Sequence, residues 1–125
     1  MLKTVLLVGA GSFLGGVARY LVSLALRGVS SQMPWATFAV NILGCLLIGI
    51  LWALSERLPG DNNHLMLFLS VGLCGGFTTF STFSKEGLAM LQSGNTGLFM
   101  LYAAGSVVLG ICAVALGYHL LRQML

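Results

Sequence analysis

Residues 72–86 read Gly-Leu-Cys-Gly-Gly-Phe-Thr-Thr-Phe-Ser-Thr-Phe-Ser-Lys-Glu, a hydroxyl-rich interruption of an apolar run that begins near Leu65 and closes over Leu88 to Leu91. The pair Gly75-Gly76 followed by β-branched threonines disfavours a continuous helix and predicts a break at the glycines. Backbone freed at membrane depth is tolerated only where it is buried in protein or lines a cavity, and its carbonyls are then hard oxygen ligands for a small cation. If helix resumes beyond the break, Thr78, Ser81, Thr82 and Lys85 stand at i, i+3, i+4 and i+7 and share a face, a track of hydroxyls. Phe77, Phe80 and Phe83 recur every three residues along an adjacent edge. That stripe is either ordinary packing or a row of ring edges that present the positive rim of the aromatic quadrupole to an anion. Spacing alone leaves both open.

The membrane setting follows from composition. Of 125 residues 58% are hydrophobic and 7% charged, whereas a soluble domain carries about 25% charged residues. No water-facing surface can be built from this inventory, so the chain is an all-α integral membrane protein. At about 20 apolar residues per span, four transmembrane helices account for most of its length, in a single four-span domain over residues 1–125. The first runs from about Thr4 to Leu26, and its Gly11 and Gly15 form a G-x-x-x-G pair for close helix approach. The interruptions at Gly9, Gly11, Gly15, Gly16 and Arg19 argue for a retained helix rather than a cleaved signal. The second runs from Trp35 to Ser55, the third is the broken one, and the fourth runs from Leu98 to Leu121 with Gly105, Gly110 and Gly117 as packing positions. Only the loop from Glu56 to His64 is clearly aqueous. The three cysteines read as small buried hydrophobes.

With four spans both termini lie on one side, so Lys3, Arg57 and Arg122 are weighed against Arg27 and Lys85. Three against two is almost no bias, and insertion in both orientations is expected. The halves do not mirror each other, so inverted symmetry requires two chains, and a dimer supplies it most simply. The net charge of +3 is scattered singly and forms no nucleic-acid patch. No paired carboxylates, activated nucleophile or phosphate loop is present, so the chain is not read as an enzyme.

Polar groups inside the spans carry the remaining information. Arg19 either snorkels to an interface or faces a water-filled vestibule, where it would concentrate anions. Asn41 is either helix-to-helix glue or an amide that donates to a passing anion. Glu86 with Lys85 is either an interfacial charge pair or a pore-mouth group.

Together, G-G-V-A-R-Y at Gly15 to Tyr20, T-F-A-V-N at Thr37 to Asn41 and the run from Gly72 to Glu86 resemble the CrcB family of fluoride channels, also called Fluc. The resemblance spans the chain. It implies a passive, fluoride-selective channel of the bacterial inner membrane that exports cytoplasmic fluoride and confers fluoride resistance. It also implies an antiparallel, dual-topology homodimer with two separate pathways. A structural sodium ion (Na+) would sit at the centre of the interface, held by the backbone carbonyls of Gly75 and Thr78 of each copy. By motif match, Phe80 and Phe83 face the permeating ion and Asn41 hydrogen-bonds it. Arg19 lies near the vestibule, and Ser81 and Thr82 are hydroxyls beside the phenylalanines.

One departure stands out. The family's row of polar side chains on the fourth helix, spaced by four, falls here on Tyr102, Ser106, Gly110 and Val114, so only its first half is polar. A heterodimer with a related chain therefore remains open beside the homodimer. The rival reading is a small dual-topology multidrug or cation transporter. That class depends on a carboxylate in the first span, and residues 4–26 contain none.

Overall fold

The computed structural model describes residues 1–29, 32–58 and 63–125, apart from the side chain of Asn63. Residues 30–31 and 59–62, which take in part of the polar loop expected from Glu56 to His64, lie outside the described residues. Helix α1 is Leu2–Ala25 and α2 is Trp35–Arg57. Helix α3 covers residues 63–77 and changes pitch along its length, from α-helix over Asn63–Met66 to a wide π-turn over Leu67–Cys74 and back over Gly75–Phe77. Helix α4 is Phe80–Gln92 and α5 is Thr96–Met124. Among the described residues, four spans are long and apolar enough to cross a membrane, the third being α3 and α4 taken together over His64–Gln92. The chain is a multi-pass membrane protein.

Two packed pairs position everything else. The first joins α1 to α3 through facing glycines. A Cβ at Gly11 would collide with Phe68 O and lie 2.9 Å from Gly72 Cα, and one at Gly15 would collide with Leu73 O. Gly72 and Gly76 answer from α3, where a Cβ on Gly76 would meet the Ser12 backbone. Two G-x-x-x-G pairs thus bring backbones together where a membrane offers no hydrophobic drive between helices. The second pair joins α2 to α5 through Gly49 and Gly117, each against the other helix's backbone. Contrary to expectation, a Cβ on Gly105 would meet nothing within 4 Å among the described residues.

The third span is broken as expected, but three residues later than the glycines suggest. Gly75 is helical at φ −62 and ψ −38, and the chain leaves the helix at Thr78 (φ −85, ψ 159) and Thr79 (φ −150, ψ 120). The physical reason is a division of labour: Gly76 is spent on contact with the Ser12 backbone of α1, whereas Thr79 is an N-cap whose hydroxyl accepts the Thr82 N–H and restarts the helix. The cysteines are only partly interior. Cys74 is buried and Cys45 half-buried, but Cys112 is exposed on α5.

Candidate functional site: the break and its aromatic row

Three side chains hold the break. Asn41 on α2 clasps the Thr79 backbone, its Oδ1 accepting from Thr79 N–H at 2.8 Å and its Nδ2 donating to Thr79 O at 3.1 Å. Arg19 on α1 donates from Nε to Gly76 O at 3.2 Å. Thr79 Oγ1 donates to Thr82 Oγ1 at 3.0 Å, accepts from Thr82 N–H at 3.2 Å and lies 3.5 Å from Ser81 Oγ. These bonds redirect donors that a continuous helix would use. The Thr79 N–H that would close onto Gly75 O is taken by Asn41, and the Thr82 N–H that would close onto Thr78 O is taken by the Thr79 side chain. Gly75 and Thr78 therefore lose their helical donors.

The expected hydroxyl face is corrected by one residue. Thr78 is extended and turns its hydroxyl back to Cys74 O at 2.9 Å, so the cluster at the head of α4 is Thr79, Ser81 and Thr82. The phenylalanine stripe is likewise split, because Phe77 lies before the break against α1 and α2. Phe80 is 79% exposed and stacks on Phe83 at 5.8 Å. Phe83 lies against Tyr102 at 5.0 Å. Tyr102 is completely buried.

Polar atoms without partners mark this row. Glu86 Oε1, Tyr102 Oη and Ser106 Oγ are buried and make no hydrogen bond among the described residues. Buried Thr37 is the near polar neighbour of both the Glu86 carboxyl and the Tyr102 phenol. Leaving such a group unpaired costs about 1–3 kcal/mol, so three on one row is a cost that packing alone does not explain. Open space adjoins Glu86. A cavity of ≈ 560 Å³ runs from Glu86 to Gln32, Ser93 and Asn95. One of ≈ 310 Å³ is lined by Arg19, Thr37, Thr79 and Thr82. A third, ≈ 290 Å³, is lined by Asn41, Cys45, Thr78, Phe80 and Val114.

The α5 row changes character halfway. Tyr102 and Ser106 carry the unpaired hydroxyls, Gly110 sits where a Cβ would lie 3.4 Å from Cys45 Sγ, and Val114 faces the Asn41 cavity. Sequence reasoning gave no role to Thr37 and Thr79. The signals were there: Thr79 precedes the helix restart in an N-cap position, and Thr37 stands four residues before Asn41 on one face of α2.

Comparison with known proteins decides the family. A family model described as "CrcB-like protein, Camphor Resistance (CrcB)" matches residues 6–118. The chain belongs to the CrcB family. A protein of Phocaeicola vulgatus named "Fluoride-specific ion channel FluC" is 51% identical over 117 residues, covering 93% of this chain and 96% of its own. One of the same name from Chlorobium luteolum is 50% identical over 114 residues, covering 91% and 88%. Another from Flavobacterium psychrophilum is 40% identical over 124 residues, covering 98% and 100%. An ion channel performs no chemical conversion, and the chain belongs to a family of conduits, not enzymes.

Proposed function

We propose that this chain is a passive fluoride-selective channel of the bacterial inner membrane that exports cytoplasmic fluoride. The observation that carries the reading is the row of buried polar atoms with no partner, Tyr102 Oη, Ser106 Oγ and Glu86 Oε1, beside the stacked Phe80 and Phe83. A small anion sheds its water only where donors replace it. The Tyr102 and Ser106 hydroxyls are such donors, and Glu86 becomes one when protonated. Asn41 has spent Oδ1 and one N–H on Thr79, which leaves its second N–H for the ion. Ring edges of Phe80 and Phe83 bridge the stretch between donors, with Ser81 and Thr82 at its flank. Arg19 lines the neighbouring cavity and raises the local anion concentration.

The working unit in this reading is an antiparallel homodimer with two pathways. The balanced loop charge supports opposite insertion, and the high exposure of Phe80 supports a second copy completing the aromatic box. Sodium would be held at the two-fold axis by Gly75 and Thr78 carbonyls of each copy. The fit rests on the loss of helical donors at both carbonyls, since hard, neutral oxygens suit a small monovalent cation. Once bound, the ion would supply fixed positive charge and lock the two breaks together.

The test is fluoride efflux from liposomes holding the purified protein, followed with a fluoride electrode, beside a chloride control and without a proton gradient. Fast release of fluoride alone is expected. Release of chloride at a similar rate, or no release from inserted dimers, would overturn the reading.

A further inference from the structure

The break frees carbonyls at the end of α3, and the structure sorts them. Cys74 O keeps a helical donor, the Thr78 N–H at 3.0 Å, and takes the Thr78 hydroxyl as well. Gly75 O and Thr78 O lose theirs to Asn41 and to the Thr79 side chain. Between them in the chain, Gly76 O accepts from Arg19 Nε at 3.2 Å. A guanidinium on one of the last carbonyls of a helix, at the negative end of its dipole, acts as a C-terminal cap. Gly75 and Gly76 carry no Cβ, so their peptide planes are the easiest in this turn to rotate. Helix α1 restrains Gly76 twice: the Ser12 backbone packs where a Cβ would stand, and Arg19 holds the carbonyl.

The atom that makes this bond separates two roles of one side chain. Nε is the inner nitrogen of the guanidinium, the atom that follows Cδ. Glutamine carries its Nε2 donor at the same place along the chain, and methionine carries Cε there. The charge and the outer N–H groups are not spent on Gly76, and Arg19 also lines the cavity of ≈ 310 Å³. We propose that Arg19 is a positioning residue for the sodium site, a role that rests on sodium being held at the break. Its Nε donor fixes the Gly76 carbonyl and thereby the peptide planes on either side, whose Gly75 and Thr78 oxygens are offered to the ion. The charge acts in the opposite sense, because a guanidinium near a cation site weakens the cation's binding. Loss of the donor and loss of the charge therefore move sodium affinity in opposite directions.

The experiment is thermal melting of the purified protein in detergent, read by size-exclusion chromatography over a series of sodium concentrations, with N-methylglucamine holding ionic strength constant. The parent should melt higher as sodium rises, with a midpoint concentration that reports affinity. Arg19→Met, which lacks both donor and charge, should raise that midpoint about tenfold, the equivalent of one lost hydrogen bond. Arg19→Gln, which returns a donor at the Nε position without the charge, should bring it back to within about threefold of the parent. A midpoint that moves alike in both variants, up or down, assigns the effect to the charge and overturns the proposal. Melting that drops at every sodium concentration with the midpoint in place makes Arg19 merely structural and overturns it as well. So does an Arg19→Met protein that stays unfolded at saturating sodium while Arg19→Gln folds. A parent whose melting ignores sodium would instead overturn the sodium reading itself, and this role with it.

Discussion

Replacing Gly15 by Ala tests how helix packing reaches the break. A Cβ there would collide with Leu73 O and lie 2.8 Å from Phe77 N, both backbone atoms that cannot rotate away. Restoring the 3.4 Å of ordinary contact to Phe77 N requires α1 and α3 to part by at least about 0.6 Å, and relieving the tighter collision with Leu73 O requires more. The Arg19 Nε to Gly76 O bond crosses the same interface at 3.2 Å, and parted by that amount it would exceed hydrogen-bonding distance. The expected cost is about 1–3 kcal/mol from overpacking, with about 1 kcal/mol more from the lost bond. Gly9→Ala on the same helix is the control: nothing lies within 4 Å of its Cβ, and better helix propensity should leave it neutral or stabilised by up to about 1 kcal/mol. The assay is thermal stability in detergent by size-exclusion chromatography, paired with fluoride efflux from liposomes. Gly15→Ala should melt lower and conduct poorly, while Gly9→Ala should match the parent. Equal melting of the parent and Gly15→Ala, with undiminished flux, would refute the packing argument. Equal losses in both variants would show that α1 tolerates no added bulk anywhere.

Other expectations follow from the same geometry. Phe80→Ile or Phe83→Ile should abolish fluoride efflux with the dimer intact by size exclusion, because each removes a ring from a stacked pair; retained flux in both would dismiss the aromatic row. Asn41→Asp should suppress efflux at least tenfold, the order expected when a carboxylate opposes both an anion and the Thr79 carbonyl that Nδ2 now serves; unchanged flux would take Asn41 off the path. Tyr102→Phe removes a buried hydroxyl without a partner, so it should cost little stability, or add some, while lowering flux. A drop in melting temperature with normal flux would mean the hydroxyl is structural.

Composition by itself determined the class of this protein. With so few charges the chain has to give its surface to lipid, and once lipid is the solvent only helices satisfy the backbone, so four apolar runs become four spans. Their number, their order and the interruption in the third were legible for that reason. The site was legible as residue types: an arginine, an asparagine and hydroxyls kept at membrane depth each cost free energy that a plain anchor would not bear. Tertiary structure decided where those groups act. Gly75-Gly76 read as the breaking point because glycine weakens a helix, yet both glycines stay helical, Gly76 packed on the Ser12 backbone of α1, and the break falls at Thr78 and Thr79. Thr79 became central only when α2 brought Asn41 to its backbone across a separation of 38 residues. The unpaired atoms of Glu86, Tyr102 and Ser106 could not be read from the chain either, because whether a hydroxyl or carboxyl finds a partner depends on what the neighbouring helix presents, and that is settled by packing.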